Sequence, residues 1–255
     1  MTLFDMTGKV AVVTGSTRGI GRAIAERMVE HGANVVVSSR KQDVSDQVSK
    51  EINDKYGQGK TIAVAANISS KENLQNLVDE TNAKFGKVDV LVCNAASNPY
   101  YGPLANISDD QFNKILSNNI VANNWLISMV VPQMIERKDG SIVIVSSIGG
   151  LKGSTTIGAY CVSKAADMQL ARNLACEYGK HNIRVNCIAP GLIKTDFAKA
   201  LWDNPDTLKA STARSPLLRI GIPDEIAGAA VFLGSAAGNF MTGQSIVIDG
   251  GATIS

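Results

Sequence analysis

Seven short runs rich in β-branched residues alternate with longer segments patterned for helix, and this alternation restricts the fold more than any other feature of the chain. The runs lie at residues 9–14, 34–38, 61–65, 88–93, 141–145, 184–188 and 245–248. Most are apolar almost without interruption, as strands are when helices cover both their faces. Strand–helix–strand order throughout calls for parallel pairing through right-handed crossovers. The predicted fold is α/β, a doubly wound parallel sheet with helices on both faces. No linker, repeat or low-complexity tract divides residues 1–255, so one domain is expected. Ser69 with Glu72 and Ser108 with Gln111 have the spacing of reciprocal helix caps.

Charge and composition remove several classes of function. With 25 basic and 23 acidic residues the formal charge is +2, which gives no electrostatic case for nucleic acid or an anionic membrane. Residues 115–135 carry no charge and are long enough to prompt a membrane reading. They also hold Asn118, Asn119, Asn123, Asn124 and Pro132, whose amides are costly in lipid, so a buried core helix is expected. Cys93, Cys161, Cys176 and Cys187 form no C-x-x-C pair, which argues for reduced thiols, no metal site and a cytoplasmic protein. His31 and His181 read as structural residues at helix ends.

The chemistry begins directly after the first run. Thr14-Gly15-Ser16-Thr17-Arg18-Gly19-Ile20-Gly21 precedes an amphipathic helix expected at 22–30. Gly15 allows a sharp turn, and Gly19 and Gly21 allow backbone and helix to approach a pyrophosphate, which the helix N-terminus attracts. A glycine triplet by itself is a weak signal; its place between a strand and a helix makes it a dinucleotide-binding turn. NAD-selective sites end the second strand with an acid for the ribose hydroxyls. Here that strand runs into Ser39-Arg40-Lys41, and Arg18 adds a second guanidinium, so a 2′-phosphate and NADP(H) are expected. Lys41 reads as a solvated loop residue.

Tyr160 and Lys164 stand four residues apart, on one face if their segment is helical. A tyrosine of ordinary pKa near 10 is a poor acid–base group at neutral pH, and a neighbouring ammonium favours its phenolate. Ser147, at the end of the fifth run, can hold a carbonyl oxygen. Asn119, Asn94-Ala95-Ala96, Pro190-Gly191 and Thr195 fall after the carboxyl ends of predicted strands, where open α/β sheets bind ligands.

With these motifs the sequence resembles the short-chain dehydrogenase/reductase family over roughly residues 8–251. The resemblance implies a Rossmann-type sheet and a catalytic tetrad of Asn119, Ser147, Tyr160 and Lys164. It implies that Tyr160 and Lys164 also touch the cofactor, Lys164 through the nicotinamide ribose, and that Asn119 holds a water linking Lys164 to solvent. It further assigns Gly15, Thr17, Arg18, Gly19, Ile20, Gly21, Ser39, Arg40, Asn67, Ile68, Asn94 and Ala95 to the cofactor. Ile193 and Thr195 resemble the contacts to the carboxamide. Two departures stand out: Ala96 replaces the usual glycine, and Asn67 the usual adenine-binding acid. Residues 37–42, 94–99 and 189–195 look closest to the NADPH-dependent retinol dehydrogenase/carbonyl reductase group. The terminal Thr253-Ile254-Ser255 does not match the peroxisomal tripeptide that group often carries.

The expected protein is therefore an NADP(H)-dependent oxidoreductase acting on a small carbonyl or alcohol, and by resemblance a homotetramer. Residues 115–135 and 243–255 are the candidate interfaces. A non-catalytic dinucleotide-binding regulator is the alternative, but it has no need of Ser147, Tyr160 and Lys164 together. A methyltransferase on a similar sheet leaves Tyr160 and Lys164 without a role. Phe197, Leu201, Trp202, Leu208, Leu217 and Leu218 are expected in a lid, facing Ile148, Leu151, Tyr100 and Tyr101. No basic cluster is expected near that pocket, which suits an uncharged ketone or aldehyde.

Overall fold

The computed structural model describes residues 2–213 and 215–255. Its strands are β1 (Val10–Thr14), β2 (Asn34–Ser38), β3 (Thr61–Ala63), β4 (Val90–Cys93), β5 (Gly140–Val145), β6 (Ile183–Pro190) and β7 (Ser245–Ile248). All neighbours pair in parallel in the order β3-β2-β1-β4-β5-β6-β7. The order reverses between β1 and β4, and there a crevice opens beyond the strand ends.

The helices are α1 (Gly19–Glu30), α2 (Gln42–Tyr56), α3 (Lys71–Phe85), α4 (Asp109–Leu116), α5 (Ala122–Arg137), α6 (Gly158–Tyr178), α7 (Pro205–Thr212) and α8 (Pro223–Gly234). Alternate residues of the apolar strands feed two cores. Val12, Leu91, Ile142 and Ile144 pack with α3, α5 and α6 residues such as Leu77, Leu126 and Met168. Val13, Val35, Val92 and Val143 pack with α1 and α8 residues such as Ile24, Met28 and Ile226. Every residue of β1 and β4 is buried, which is why those runs show no polar alternation.

Several boundaries differ from expectation for identifiable reasons. α1 begins at Gly19, three residues early, because the glycines that read as loop form its first turn. β3 is shorter than expected: the Gln42 side chain takes the Ala65 N–H at 2.8 Å and donates to the Ala63 carbonyl at 3.1 Å, closing the outer edge. The cap of α3 is Ser70, which accepts from the Asn73 N–H at 3.2 Å, rather than Ser69 with Glu72. Ser69 instead donates to Asn118 at 2.8 Å. The Ser108–Gln111 capping box forms as expected.

Residues 115–135 are not one regular helix. A π-helical turn, Ser117–Val121, joins α4 to α5, and the inner face is buried while Asn124, Ser128 and Pro132 face outward. Among the described residues no helix is long and apolar enough to cross a membrane. The four cysteines are free. His31 caps the end of α1, its ring nitrogen 2.8 Å from the Arg27 carbonyl.

Candidate active site

The glycine turn, the ends of β4, β5 and β6, and the start of α6 enclose a cleft of about 1450 Å³. That is larger than an ordinary small-ligand pocket and suits a dinucleotide with a second molecule beside it. Gly15 and Gly19 have φ of +65° and +54°, a region disfavoured for side-chain-bearing residues. A Cβ on Gly21 would lie 2.5 Å from Asn94 Nδ2 and would meet the Gly15 carbonyl. Asn94 stitches this turn to β4, donating to the carbonyls of Thr14 at 2.9 Å and Gly15 at 3.2 Å. Thr14 Oγ1 accepts the N–H groups of Asn94 and Ala95 in return.

No side chain among the described residues caps α1, and Ile20 and Gly21 of its first turn line the cleft. Thr17, Arg18, Ile20, Gly21, Ser39 and Arg40 line this end, with Asn67, Ile68, Asn94 and Ala95 along one wall. Gly19 does not line it; a Cβ there would press on Thr195 Cγ2 at 3.1 Å. Arg18 reaches across the mouth to Asp196 at 3.5 Å, an exposed pair of little worth that a bound anion can displace. Arg40 and Lys41 have no carboxylate partner among the described residues, and Lys41 lines the cleft with Arg40. Asn67 Oδ1 is already used by the Ser69 N–H. An uncapped helix end with free cations and no acid after β2 fits a phosphorylated dinucleotide.

The other end carries the acid–base groups. Tyr160 and Lys164 lie on the inner face of α6, with Lys164 Nζ 5.6 Å from the Tyr160 ring centroid. Ser147 sits two residues beyond β5 rather than at its end. Ser146 bonds to the Ile188 and Lys164 carbonyls there, and Ser147 turns into a short 3-10 segment. Ser147 Oγ accepts the Gly149 N–H at 3.0 Å. Burial pushes the Tyr160 phenol above its ordinary value; Lys164 and a hydrogen bond with Ser147 pull it down without overcoming burial. In the protein alone the net shift is thus upward, against the sequence-based expectation. Burial works most strongly against the Lys164 ammonium, but the charge and hydrogen bond of Asp167, together with the Tyr160 and Cys187 side chains, outweigh it and the lysine pKa ends above its usual value.

Asn119 lies in the π-helical turn, fully buried and away from the cleft wall. Its amide donates to the Ser97 carbonyl and Ser163 Oγ and accepts the Ser97 N–H at 2.8 Å. It braces the β4 loop against α6. Such turns break helix regularity often at functional positions, and no residue pattern announced this one.

Ile193 and Thr195 line the cleft, as do Phe197, Leu201 and Leu217 of the lid. Trp202, Leu208 and Leu218 do not: the Trp202 indole donates to the Thr195 carbonyl at 2.9 Å, and Leu218 faces solvent. Opposite them stand Ile148 and Tyr101, whereas the Tyr100 hydroxyl turns back to the Pro103 carbonyl and Leu151 is exposed. Lys114, Lys152 and Arg219 also line the cleft, so it is not free of cations as expected. Arg219 is paired with Glu225. The sequence reading also missed Thr14, Ser97, Ser163, Asn123 and Asp167. Only Asp167, three residues after Lys164 and so on the same helical face, carried a legible signal.

A family model described as "Enoyl-(Acyl carrier protein) reductase" matches residues 15–253. The chain is 41% identical over 248 residues to "Dehydrogenase/reductase SDR family member 4" of Bos taurus, covering 97% of this chain and 88% of the relative. It superposes with a TM-score of 0.94 on a gluconate 5-dehydrogenase from Burkholderia cenocepacia J2315 in complex with NADP and tartrate. That protein is 29% identical, with 99% of this chain and 98% of the other covered. A 7α-hydroxysteroid dehydrogenase complexed with NADH and 7-oxo glycochenodeoxycholic acid gives a TM-score of 0.93 at 35% identity, over 98% and 96% of the two chains.

Proposed function

The chain belongs to the short-chain dehydrogenase/reductase family of oxidoreductases, and from that premise we propose that it interconverts a ketone or aldehyde and the alcohol with NADP(H). The observation that carries the proposal is the shared cleft: Ser147, Tyr160 and Lys164 line the same cavity as the glycine turn. When bound, the nicotinamide supplies or accepts the hydride. Tyr160 Oη hands its proton to the carbonyl oxygen as negative charge develops there, and takes it back in the reverse direction. Ser147 holds that oxygen by hydrogen bonding, an interaction that strengthens as charge grows. Lys164 favours the tyrosinate left behind and keeps one N–H for the ribose. Asn119 keeps the loop after β4 and the start of α6 in register.

Arg18 and Arg40 are the proposed 2′-phosphate ligands, with Ser39 beside them. The glycine turn holds the pyrophosphate, Asn67, Ile68, Asn94 and Ala95 the adenosine side, and Ile193 and Thr195 the carboxamide. Neighbours of this fold were solved with NADP and with NADH, so the choice rests on this chain's own cations. The likeness to the retinol dehydrogenase/carbonyl reductase group supports carbonyl reduction and belongs to the same reading. A single domain over residues 1–255, a homotetramer and a cytoplasmic setting complete the proposal. Phe197, Leu201, Ile148 and Tyr101 favour substrates with apolar bulk near the carbonyl.

The test is NADPH oxidation with a panel of alkyl, aryl and polar ketones and aldehydes, repeated with Tyr160→Phe. The variant should bind NADPH, by fluorescence titration, nearly as the wild type does. Its kcat should fall by about 10²–10⁴, the usual share of a positioned acid. A kcat retained above about a tenth of wild type means that another group is the acid.

A further inference from the structure

Along α6 the residues Tyr160, Lys164 and Asp167 follow one another at the i, i+4 and i+7 positions, and so form one stripe of the helix. The stripe faces inward: Lys164 is 2% exposed and Asp167 0%. Lys164 Nζ donates to Asp167 Oδ2 at 2.9 Å and to the Val145 carbonyl at 3.0 Å. The other carboxylate oxygen, Oδ1, accepts from Asn123 Nδ2 at 3.2 Å, and the same amide donates to the Asn119 carbonyl at 2.6 Å. The chain of contacts thus runs from the catalytic helix through Asp167 to α5 and back to the π-helical turn. A full ion pair built into the core costs desolvation and seldom stabilises a fold more than apolar packing would. Its position behind a reacting side chain gives it another use.

We propose that Asp167 is a positioning residue for the hydride-transfer reaction: held by Asn123, its carboxylate keeps the Lys164 ammonium charged and aimed, with one N–H left for the cofactor. This rests on the oxidoreductase reading above. A lysine with so little solvent around it sheds its proton easily unless a counter-charge stands by. Of its three N–H donors, two are committed to Asp167 and Val145, so its direction is set before anything binds. Of the remaining titratable neighbours only Tyr160 can add a second counter-charge, and only as the phenolate that burial disfavours. Tyr160 faces Lys164 from the same helix, Cys93 from β4 and Cys187 from β6, where its Sγ donates to the Asp167 carbonyl oxygen at 3.5 Å. Burial pushes the Cys187 thiol up to about 12 and Cys93 up as well, so both stay neutral.

The charge and the pointing separate in experiment. Tyr160 and Lys164 titrate as a coupled pair, and reduction needs the proton on both. Removing the carboxylate as Asp167→Asn makes both protons easier to lose, because the ammonium loses its counter-ion and the phenolate loses a repulsive neighbour. The alkaline limb of kcat/KM for ketone reduction should therefore move down by about one pH unit or more, the size expected of one lost charge at contact. Asp167→Glu, which retains the charge, should leave the limb near its wild-type place. In the wild-type protein without cofactor, the ¹⁵N signal of the Lys164 side chain, assigned by its loss in Lys164→Gln, should keep its ammonium shift to higher pH than an exposed lysine does.

An Asp167→Asn limb coinciding with wild type, or an Asp167→Glu limb displaced as far as that of the asparagine variant, overturns the proposal. So does a Lys164 that is neutral at pH 8 in the wild type, a reading that stands even if the variants fail to fold. Absence of turnover with any carbonyl would instead strike the oxidoreductase reading, leaving the lysine titration to judge Asp167 alone.

Discussion

The rings of Tyr160 and Phe197 lie with centroids 6.0 Å apart and planes tilted by 42°. Tyr160 comes from the buried face of α6, and Phe197 from the 3-10 segment Asp196–Leu201 that follows β6. The half-exposed phenylalanine thus covers the ring of the proposed proton donor from the side of that segment. Tilted aromatic pairs at this spacing contribute about 0.5–1.5 kcal/mol beyond burial. Phe197→Ala should therefore lower the melting temperature by about 1–6 °C, and because Phe197 also lines the cleft it should lower kcat/KM for a bulky ketone more than for a small one. Steady-state kinetics with matched thermal melts check this; an unchanged kcat/KM for every carbonyl would remove Phe197 from the substrate wall.

The raised Tyr160 pKa sets a pH dependence whose sign differs between the two directions. Burial, the largest cause, favours the neutral phenol, so the acid form needed for reduction persists through neutral pH and is lost only on the alkaline side. Alcohol oxidation requires the phenolate and should rise with pH where reduction falls. Profiles of kcat/KM in both directions should show the two limbs opposed. A reduction rate that already declines between pH 6 and 8, with the protein still folded, contradicts this assignment.

Arg40 stands free at the end of β2 with no carboxylate to satisfy it among the described residues. One charge-assisted contact to a phosphate is worth about 1.5–3 kcal/mol. NADPH should therefore be preferred by the wild type, and Arg40→Ala should weaken NADPH binding about 10–100-fold with NADH binding little altered. Titrations of both variants with both cofactors decide the matter; a wild-type preference for NADH refutes it.

Gly21 has no room for a methyl group. A Cβ there would sit against the Gly15 carbonyl and Asn94 Nδ2, and Gly15 is backbone that cannot swing aside. Gly21→Ala should cost about 1–3 kcal/mol as the turn is forced open. For a chain of this size that lowers the melting temperature by roughly 2–10 °C, together with a loss of dinucleotide affinity. Gly57→Ala, at a positive φ with open space around its Cβ, shows the effect of backbone strain alone, whereas Gly21, a helical residue with no positive φ, meets crowding alone.

What the sequence determined by itself was the architecture and the outline of the cleft. Short, β-branched, nearly uninterrupted apolar runs suit strands covered on both faces, and the strand–helix alternation leaves parallel crossovers as the one simple connection. The glycine turn after β1 and the four-residue spacing of Tyr160 and Lys164 are local patterns, so their geometry follows from the helix and turn that carry them. Tertiary structure decided the rest. The π-helical turn puts Asn119 where its amide bonds both the β4 loop, through Ser97, and α6, through Ser163. The clamp on β3 joins Gln42 to Ala65, and the lid turns Trp202 away from the cleft to bond Thr195. Asp167 shared a face with Lys164 by spacing alone, yet its tie to Asn123, 44 residues away, depends on the first turn of α5 meeting α6. Periodicity tells which face of an element is covered. Which side chain meets it there is a matter of long-range packing.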